Sequence, residues 1–405
     1  MLRVRFSGAL LAVVLTAGCG GQAPNSPQSS SSGSSPAATT SAPPPIVAPA
    51  QLQPGKYPTA AQAVPSTAGD AAVGAVIDAR RLAGYVVGPW AVDPKLSQPF
   101  MVAPVLVLDK SDALGQLGPE SIAQAAGRHR FVDGFASTRQ SKDRLVLVNA
   151  VLQFAGAEEA KAAAADMNAA ATTTPVKEGT PKPIGIPGHS GTLASTYQVD
   201  SGGHQRDSVR AFTAHGPLVL MQLAQGAQGS DPLDALVAKT IDAQISKSDG
   251  FTPPNPAALA TVPVDPSGLL AVTLPAHSNS PTKNAVYSAD GALHFQVDPV
   301  LSAKTFQDNG VSAMSMGLTN VFVTKDPWGA VHLVDEFAKE QGVGGQPADA
   351  VPGLPLSKCV TLAGGKRFYC VAPAGAHAIE ADAANLQDLH EEVAAQYILL
   401  TAPTR

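Results

Sequence analysis

Two adjacent glycines midway between two cysteines are the strongest local constraint on how this chain folds. Gly364 and Gly365 separate two strand-like runs, which is the pattern of a β-hairpin with a two-residue turn. In that hairpin Cys359 lies directly opposite Cys370, because each step away from the turn keeps the two strands in register. Facing Cα atoms in such a ladder are roughly 4.5 to 5.5 Å apart, which is within disulfide range. We therefore expect a Cys359–Cys370 disulfide.

The alternative for this cysteine pair is a pair of thiolate ligands to a metal ion. No second pair of cysteines or histidines lies nearby in the sequence, so the disulfide is favoured and no metal site is predicted. Disulfides persist in oxidising compartments, which indicates that the chain folds outside the cytoplasm. A closed loop of this size would contribute up to roughly 3 kcal/mol of stability.

The N-terminus has the parts of a secretory signal peptide: Arg3 and Arg5, an apolar run over 6–15, and small residues before Cys19. The apolar run is too short to span a ~30 Å hydrocarbon layer comfortably. Leu-Thr-Ala-Gly-Cys resembles a bacterial lipobox, apart from a threonine where leucine or valine is commoner. The resemblance implies cleavage before Cys19 and a lipid on its sulfur. An ordinary signal peptide with a chance cysteine is the alternative. The predicted location is the extracytoplasmic face of the cell membrane, through a lipid anchor.

Composition divides the chain into five segments. Residues 1–18 are the predicted signal peptide. Residues 19–50 form an uncharged tether rich in Ser, Pro, Ala and Thr, which buries too little apolar surface to fold and is expected to be disordered. An N-terminal domain over 51–251 and a C-terminal domain over 281–405 are separated by a proline-rich linker, 252–280.

Strand-like and helix-like runs alternate in both halves. Each half ends in a long amphipathic helix, Pro232–Lys247 in the first and Asn385–Leu400 in the second. The first half also has a predicted helix over Ala71–Val87, and Leu293–Val297 in the second half is predicted to be extended. The fold class is therefore α+β, with two related domains, each an antiparallel sheet with packed helices.

Several short segments resemble one family. Lys56-Tyr57-Pro58-Thr59, Ala79–Ala83, Tyr85–Trp90, Val92-Asp93-Pro94 and the C-terminal Gln387–Tyr397 are similar in order to mycobacterial and nocardial lipoproteins of unknown function. The resemblance covers most of the mature chain and depends above all on the Val-Gly-Pro-Trp segment. It implies an actinobacterial envelope lipoprotein with two α+β domains and no assigned activity. In strand–helix order alone, the chain is also similar to the extracytoplasmic sensor domains of mycobacterial receptor kinases.

Two tryptophans and two arginines are the candidate ligand-binding residues. Trp90 and Trp328 each stand beside a proline and a glycine, where an aromatic ring can line a binding cleft. Arg80 and Arg81, on the predicted first helix, could bind an anionic headgroup. The alternatives are tryptophans that pack over helix ends and an ordinary pair of surface arginines.

Gly188-His189-Ser190-Gly191 invites comparison with the nucleophile elbow of a serine hydrolase. That motif requires Gly-x-Ser-x-Gly between a strand and a helix, whereas here the spacing is Gly-x-Ser-Gly after a segment rich in proline and glycine. A turn is the favoured interpretation. The nine histidines form no recognisable ligand or catalytic set. The sequence predicts no catalytic residue and no cofactor.

The net charge of −5 and the pI near 6.0 lack the basic footprint of a nucleic-acid-binding protein. The favoured function is a non-enzymatic, lipid-anchored envelope protein that binds a lipid, a small molecule or an envelope protein. It requires a sizeable apolar pocket or an exposed patch of several hundred Å². The alternative is an exported serine hydrolase that uses Ser190, with a histidine within ~3 Å of the nucleophile.

Overall fold

A computed structural model describes residues 42–101, 103–175, 180–200, 203–229, 232–278 and 280–402. The predicted signal peptide, most of the predicted tether and the predicted lipidation site, Cys19, lie outside these residues. From Pro43 onward the chain is one compact unit. No helix in the described part of the chain is long and apolar enough to span a membrane.

The strands of the N-terminal half form one antiparallel sheet. They are β1 (Gln98–Pro99), β2 (Val105–Leu108), β3 (Phe131–Gln140), β4 (Val146–Phe154), β5 (Lys182–Ile184), β6 (Leu193–Asp200), β7 (Gln205–His215) and β8 (Leu218–Ala227). Their spatial order is β1-β3-β4-β8-β7-β6-β5, and β2 also pairs with β3. Every residue of β4 is buried, so this strand is covered on both faces.

Helices provide that cover. They are α1 (Ala71–Leu82), α2 (Pro89–Val92), α3 (Glu120–Gly127), α4 (Ala157–Thr173) and α5 (Leu233–Ser248). On one face, Val148 and Leu152 of β4 share a hydrophobic cluster with Met167 of α4. On the other, Leu147 clusters with Ile241 of α5. Successive strand residues point to opposite faces, so the continuous apolar run of β4 serves both layers.

The C-terminal half repeats the pattern of an antiparallel sheet with packed helices. Its elements are β9 (Ala285–Ser288), α6 (Ala289–Leu293), α7 (Pro299–Asn309), β10 (Ala313–Met316), β11 (Asn320–Val323), α8 (Pro327–Gln341), β12 (Gln346–Ala348), β13 (Lys358–Thr361), β14 (Phe368–Ala374), β15 (His377–Ala383) and α9 (Leu386–Thr401). The strand order is β12-β13-β14-β15-β11-β10-β9. Phe337 of α8 packs on one face of the sheet and Val393 of α9 on the other.

Both halves contribute to one hydrophobic core. Leu82 and Phe135 from the N-terminal half belong to the same buried cluster as Tyr287 and Phe322 from the C-terminal half. The two sheets are therefore packed together through their helices rather than held apart by the linker.

The linker itself packs closely on α1. A Cβ added at Gly74 would lie only 2.1 Å from the carbonyl oxygen of Leu259, so glycine allows the two backbones to approach. Gln62 also fastens the linker, because its Nε2 donates to the carbonyl oxygens of Leu270 and Thr273 at 2.9 and 3.2 Å. The proline-rich segment thus forms part of the folded body.

The predicted α+β class, with two antiparallel sheets and packed helices, is confirmed. The cystine hairpin also has the predicted register: Cys359 pairs with Cys370, their Cα atoms are 4.2 Å apart and a disulfide joins them. Gly364 and Gly365 have φ angles of +94° and +69°, a region that favours glycine, and Gly365 N donates to Leu362 O at 3.0 Å to close the turn.

The predicted helix Ala71–Val87 is wrong at its C-terminal end. α1 gives way to a 3-10 turn over Ala83–Tyr85 and then to extended backbone. Val87 N donates to Gln244 Oε1 at 2.8 Å, and Asn149 Nδ2 donates to Val87 O at 2.9 Å. Two buried side chains from distant elements thus supply the hydrogen-bond partners of the Val87 N–H and C=O groups, so this residue does not need a helix to satisfy them.

The prediction that Leu293–Val297 is extended is also wrong. The Ser288 hydroxyl caps α6, and this helix includes Leu293. The carbonyl oxygens of His294 and Gln296 then accept hydrogen bonds from Arg139 Nη2 at 2.8 and 2.9 Å. A guanidinium group from the other sheet therefore sets the conformation of this segment.

Candidate binding cleft

A cleft of about 990 Å³ lies where α1, the linker and the β9–α6 segment meet. Its lining is mainly apolar and includes Ile77 and Tyr85 on one side and Val286 and Tyr287 on another. The linker supplies a wall of prolines: Pro253, Pro254, Pro263 and Pro266. The cleft thus lies between the two halves of the protein and is large enough for a small-molecule ligand.

Arg81 is the one cationic side chain among the described residues that line this cleft. Its Nε donates to Asp78 Oδ1 at 2.9 Å, and its Nη2 donates to Thr252 O at 2.8 Å. Its guanidinium carbon lies 4.4 Å from the ring centroid of Phe251. The side chain is 42% exposed, and its Nη1 has no acceptor among the described residues. Arg81 is therefore held in place with a donor still available.

Asp78, behind Arg81, is fully buried and lies next to a second buried acid, Asp133 of β3. If both groups were ionised, Asp78 Oδ2 and both oxygens of Asp133 would have no donor among the described residues. The two carboxyl groups are within hydrogen-bonding reach, so one shared proton supplies a donor. Gln153, opposite Asp133 on β4, also contacts Asp78.

The environment determines which acid holds the proton. Burial raises the pKa of Asp133 well above its ordinary value, and the charge of Asp78 acts in the same direction. Burial also raises the pKa of Asp78, but the neighbouring Arg81 opposes this effect. Asp133 is therefore the protonated partner and Asp78 the ionised partner of Arg81. The floor of the cleft carries one positive and one negative charge.

Arg80 has a different setting from Arg81. Its nitrogens donate to the carbonyl oxygens of Pro281, Lys283 and Asn284 at 2.7, 2.9 and 3.2 Å. It is not among the residues that line the cleft. Of the two arginines predicted to bind a headgroup, Arg81 thus faces the cleft, whereas Arg80 joins α1 to the loop before β9.

Trp90 is buried at the contact between the two halves. Its ring centroid lies 5.0 Å from that of His294 and 5.4 Å from the guanidinium carbon of Arg139. A Cβ added at Gly88 would lie 2.3 Å from the ring. The ring borders a smaller cavity of about 310 Å³. Its contacts are those of a residue that packs the halves together.

His294 and Ser137 form a buried pair that no sequence pattern indicates. Nδ1 of His294 lies 2.9 Å from Ser137 Oγ, and Nε2 lies 3.1 Å from Ala83 O. A carbonyl oxygen can only accept, so Nε2 carries the hydrogen and Ser137 donates to Nδ1. Burial lowers the pKa of His294 to about 3, and the charges of Lys247 and Arg139 act in the same direction. Both ring nitrogens are thus occupied in a neutral contact between the halves.

Trp328 lies elsewhere, in the first turn of α8, and is 38% exposed. It follows Pro327, which lines an apolar groove of about 160 Å³ on the C-terminal half. Asp326 caps this helix by accepting a hydrogen bond from Gly329 N at 2.7 Å. The four predicted ligand-binding residues therefore do not form one site.

Ser190 lies in a turn between β5 and β6, so it lacks the strand–helix setting of a nucleophile elbow. Gly188 has a φ angle of +77°, which suits a turn. The adjacent His189 places its Nε2 3.1 Å from Asp242 Oδ1. Within the described ranges no hydrogen bond joins Ser190 to a histidine.

One group of potential metal ligands lies close together in the described part of the chain: Cys359, Cys370 and His390. Both cysteine sulfurs are engaged in the disulfide, and His390 Nε2 lies 2.8 Å from Asp349 O. These residues therefore offer no set of free ligands for a metal ion.

The fold and the cleft define an α+β protein of two packed halves with an amphipathic cleft between them. Two family models match the chain: the N-terminal domain of unknown function DUF7373 over residues 65–264, and the C-terminal domain of the same family over residues 269–402. The chain belongs to the DUF7373 family.

Among solved structures, the extracellular domain of PknH from Mycobacterium tuberculosis is similar to part of the chain. The identity is 16%, and the match covers 42% of this chain and 96% of that domain, with a TM-score of 0.30. This likeness is too weak to support an argument about function. No curated protein matches the chain.

Proposed function

We propose that this protein is an exported, lipid-anchored binding protein that holds an amphipathic acid in the cleft beside Arg81. The observation that carries the proposal is the cleft of about 990 Å³, with mainly apolar walls and one lining cation. The apolar part of the ligand would lie against Tyr85 and the linker prolines. Its acid group would accept a hydrogen bond from Arg81 Nη1, as oxyanions commonly do from guanidinium groups.

The donor that remains on Arg81, rather than a net charge of the cleft, favours an acid over a neutral ligand. Asp290, the other acidic side chain of the lining besides Asp78, is paired with Lys247 at 2.8 Å. Because Asp133 holds a proton, Arg81 is opposed by one carboxylate rather than two. A charge-assisted hydrogen bond at such a site is worth about 1.5 to 3 kcal/mol, or roughly tenfold or more in affinity.

Binding to the fluorescent fatty acid cis-parinaric acid tests the ligand class, with its methyl ester as the neutral control. Arg81→Gln should weaken binding of the acid by roughly tenfold or more and leave the ester unaffected. Val264→Trp, which adds bulk to the lining of the cleft, should weaken binding of both. Arg128→Gln, in the exposed turn that follows α3 and outside the cleft, is the matched control and should bind as the wild type does. Failure of the wild-type protein to prefer the acid would contradict the proposal.

The extracytoplasmic, membrane-anchored location is part of the same proposal. It is supported by the signal-peptide pattern, by Leu-Thr-Ala-Gly-Cys before residue 20, and by a disulfide of the kind that persists in oxidising compartments. Cys19→Ala should remove the acyl mass from the mature protein and release it from the membrane fraction. A variant that stays in the membrane would disprove anchoring through Cys19.

A further inference from the structure

The first described residues lie in the apolar groove on the C-terminal half. Pro44–Val47 and Leu354–Ser357 form its sides, with Pro327 and Tyr397 also in the lining. Val47 N donates to Tyr397 Oη at 2.9 Å, which fixes this segment to α9. The place where the chain enters the folded body is therefore a defined point on its surface.

Exposed apolar side chains gather around this point. Ile46 is 56% exposed and Leu356 is 41% exposed, and both line the groove. Trp328, 38% exposed, follows the groove residue Pro327 directly. Other exposed apolar residues of the described chain, such as Val73 and Leu193, lie on different elements, and a second exposed group, Val297, Val300 and Leu301, lies at the start of α7 away from the groove lining. Apolar side chains clustered at one surface point mark an interaction site more strongly than the same residues scattered singly.

We propose that this face, formed by Ile46, Trp328 and Leu356, lies in the interface of the membrane that holds the lipid anchor. The inference depends on the anchor at Cys19, which is part of the proposed function. From Cys19 to Pro43 the chain has 24 steps, which span at most about 85 Å even when fully extended. The anchored segment joins the body at this face, so this face is the part of the body that the anchor brings within reach of the bilayer.

The residues of this face favour contact with a lipid bilayer over contact with a protein. Tryptophan prefers the headgroup level of a bilayer, where one edge of its ring is wet and the other is in contact with acyl chains. Leucine and isoleucine beside it would add apolar area to the contact. The lipid anchor supplies most of the affinity, so a small patch is sufficient to orient the body.

The chain has two tryptophans, which allows a direct test. Full-length lipidated protein with Trp90→Phe, in which Trp328 is the only tryptophan, is reconstituted into phosphatidylcholine vesicles with or without bromine on the upper acyl chain. We expect bromine to quench Trp328 emission and the emission maximum to lie to the blue of that of the Cys19→Ala form in solution. The reciprocal Trp328→Phe variant leaves the buried Trp90, whose emission should not respond to bromine.

A second variant separates the patch from the anchor. Ile46→Asp with Leu356→Asp, in the Trp90→Phe background, should still float with the vesicles but lose the quenching of Trp328. If the parent protein floats with the vesicles but bromine does not quench Trp328, the proposed membrane face is wrong and the proposed anchor stands. Failure to float overturns the anchor in the proposed function, and the membrane face with it.

Discussion

Tyr57 Oη lies 2.9 Å from Asp388 Oδ1, across a separation of 331 residues. The same hydroxyl is 2.9 Å from Glu392 Oε1, and Lys56 Nζ is 3.2 Å from Asp388. Burial and the two carboxyl groups raise the pKa of Tyr57, so its phenol remains a donor. Two segments that carried the family resemblance, near opposite ends of the chain, are thus joined by hydrogen bonds and an ion pair.

Replacing Tyr57 with phenylalanine should therefore destabilise the fold. Tyr57→Phe removes the donor and leaves Glu392 buried without it, which we expect to cost about 1 to 2 kcal/mol in urea unfolding. Tyr197→Phe is the matched control, because the Tyr197 hydroxyl makes no hydrogen bond to a described residue. Equal stability of the two variants would show that the Tyr57 contacts contribute nothing measurable.

The Asp78–Asp133 pair should make stability fall as pH rises. The pKa of Asp133 is raised in the folded state, so between the ordinary aspartate pKa and this raised value the folded protein holds a proton that the unfolded chain releases. Its contribution is complete below the unfolded pKa and is lost as pH rises through the folded pKa. Asp133→Asn keeps a donor for Asp78 and cannot titrate. Denaturant unfolding from pH 5 to pH 9 should show a shallower decline for this variant, and an unchanged decline would exclude Asp133 as the source.

His294 should make the stability of the fold decrease as pH falls below neutral, the opposite of the effect of Asp133. Its pKa is about 3 in the folded state, because it is buried, and about 6.5 when the chain is unfolded. Its contribution is present above the unfolded pKa and is lost as pH falls, by up to roughly 1.4 kcal/mol for each unit below pH 6.5.

His294→Gln removes this titration while keeping a side chain that can both donate and accept. At pH 7 the variant should be less stable by about 1 to 3 kcal/mol, since the geometry of the imidazole contacts is lost. Below pH 5 the difference should shrink, because the wild-type protein loses stability faster. Parallel stability curves for the two proteins from pH 7 to pH 4 would rule out His294 as the acid-sensitive group.

Gly88 is expected to be intolerant of even one added methyl group. Its Cβ would meet the Trp90 ring at 2.3 Å, and that ring is confined between His294 and Arg139. We expect Gly88→Ala to cost about 1 to 3 kcal/mol, the usual range for an overpacked site. Gly115→Ala, where an added Cβ meets nothing within 4 Å, should change thermal stability little. Similar melting temperatures for both variants would show that the Trp90 contact can relax.

Sequence patterns predicted correctly those elements that are determined by neighbouring residues, such as turn glycines and helix caps. The Cys359–Cys370 register follows from the turn glycines. The predicted C-terminal helix Asn385–Leu400 matches α9, Leu386–Thr401, with Asn385 as its N-cap. Segments held by distant partners were predicted wrongly. The backbone of Val87 depends on Gln244, which is 157 residues away, and no local signal records that contact.

The candidate site was predicted only in part. Arg81 was among the candidate residues, but nothing in the prediction separated it from Arg80. A signal for Asp78 was present, because it shares helical spacing with the buried Ala75, Ala79 and Leu82. An acid on an apolar helix face must find a buried partner, although the sequence does not say which one.

The sequence by itself therefore determined the α+β class, the cystine hairpin and most of the long helices, because spacing, caps and turn residues act over a few positions. The tertiary structure alone decided that the two halves share one core, that Asp78 meets Asp133, and that Arg81 rather than Arg80 faces the cleft. Each of those outcomes depends on which surfaces come together when α1, the linker and β9 pack. Such contacts join residues far apart in the chain, and their energies arise only once water is excluded between them.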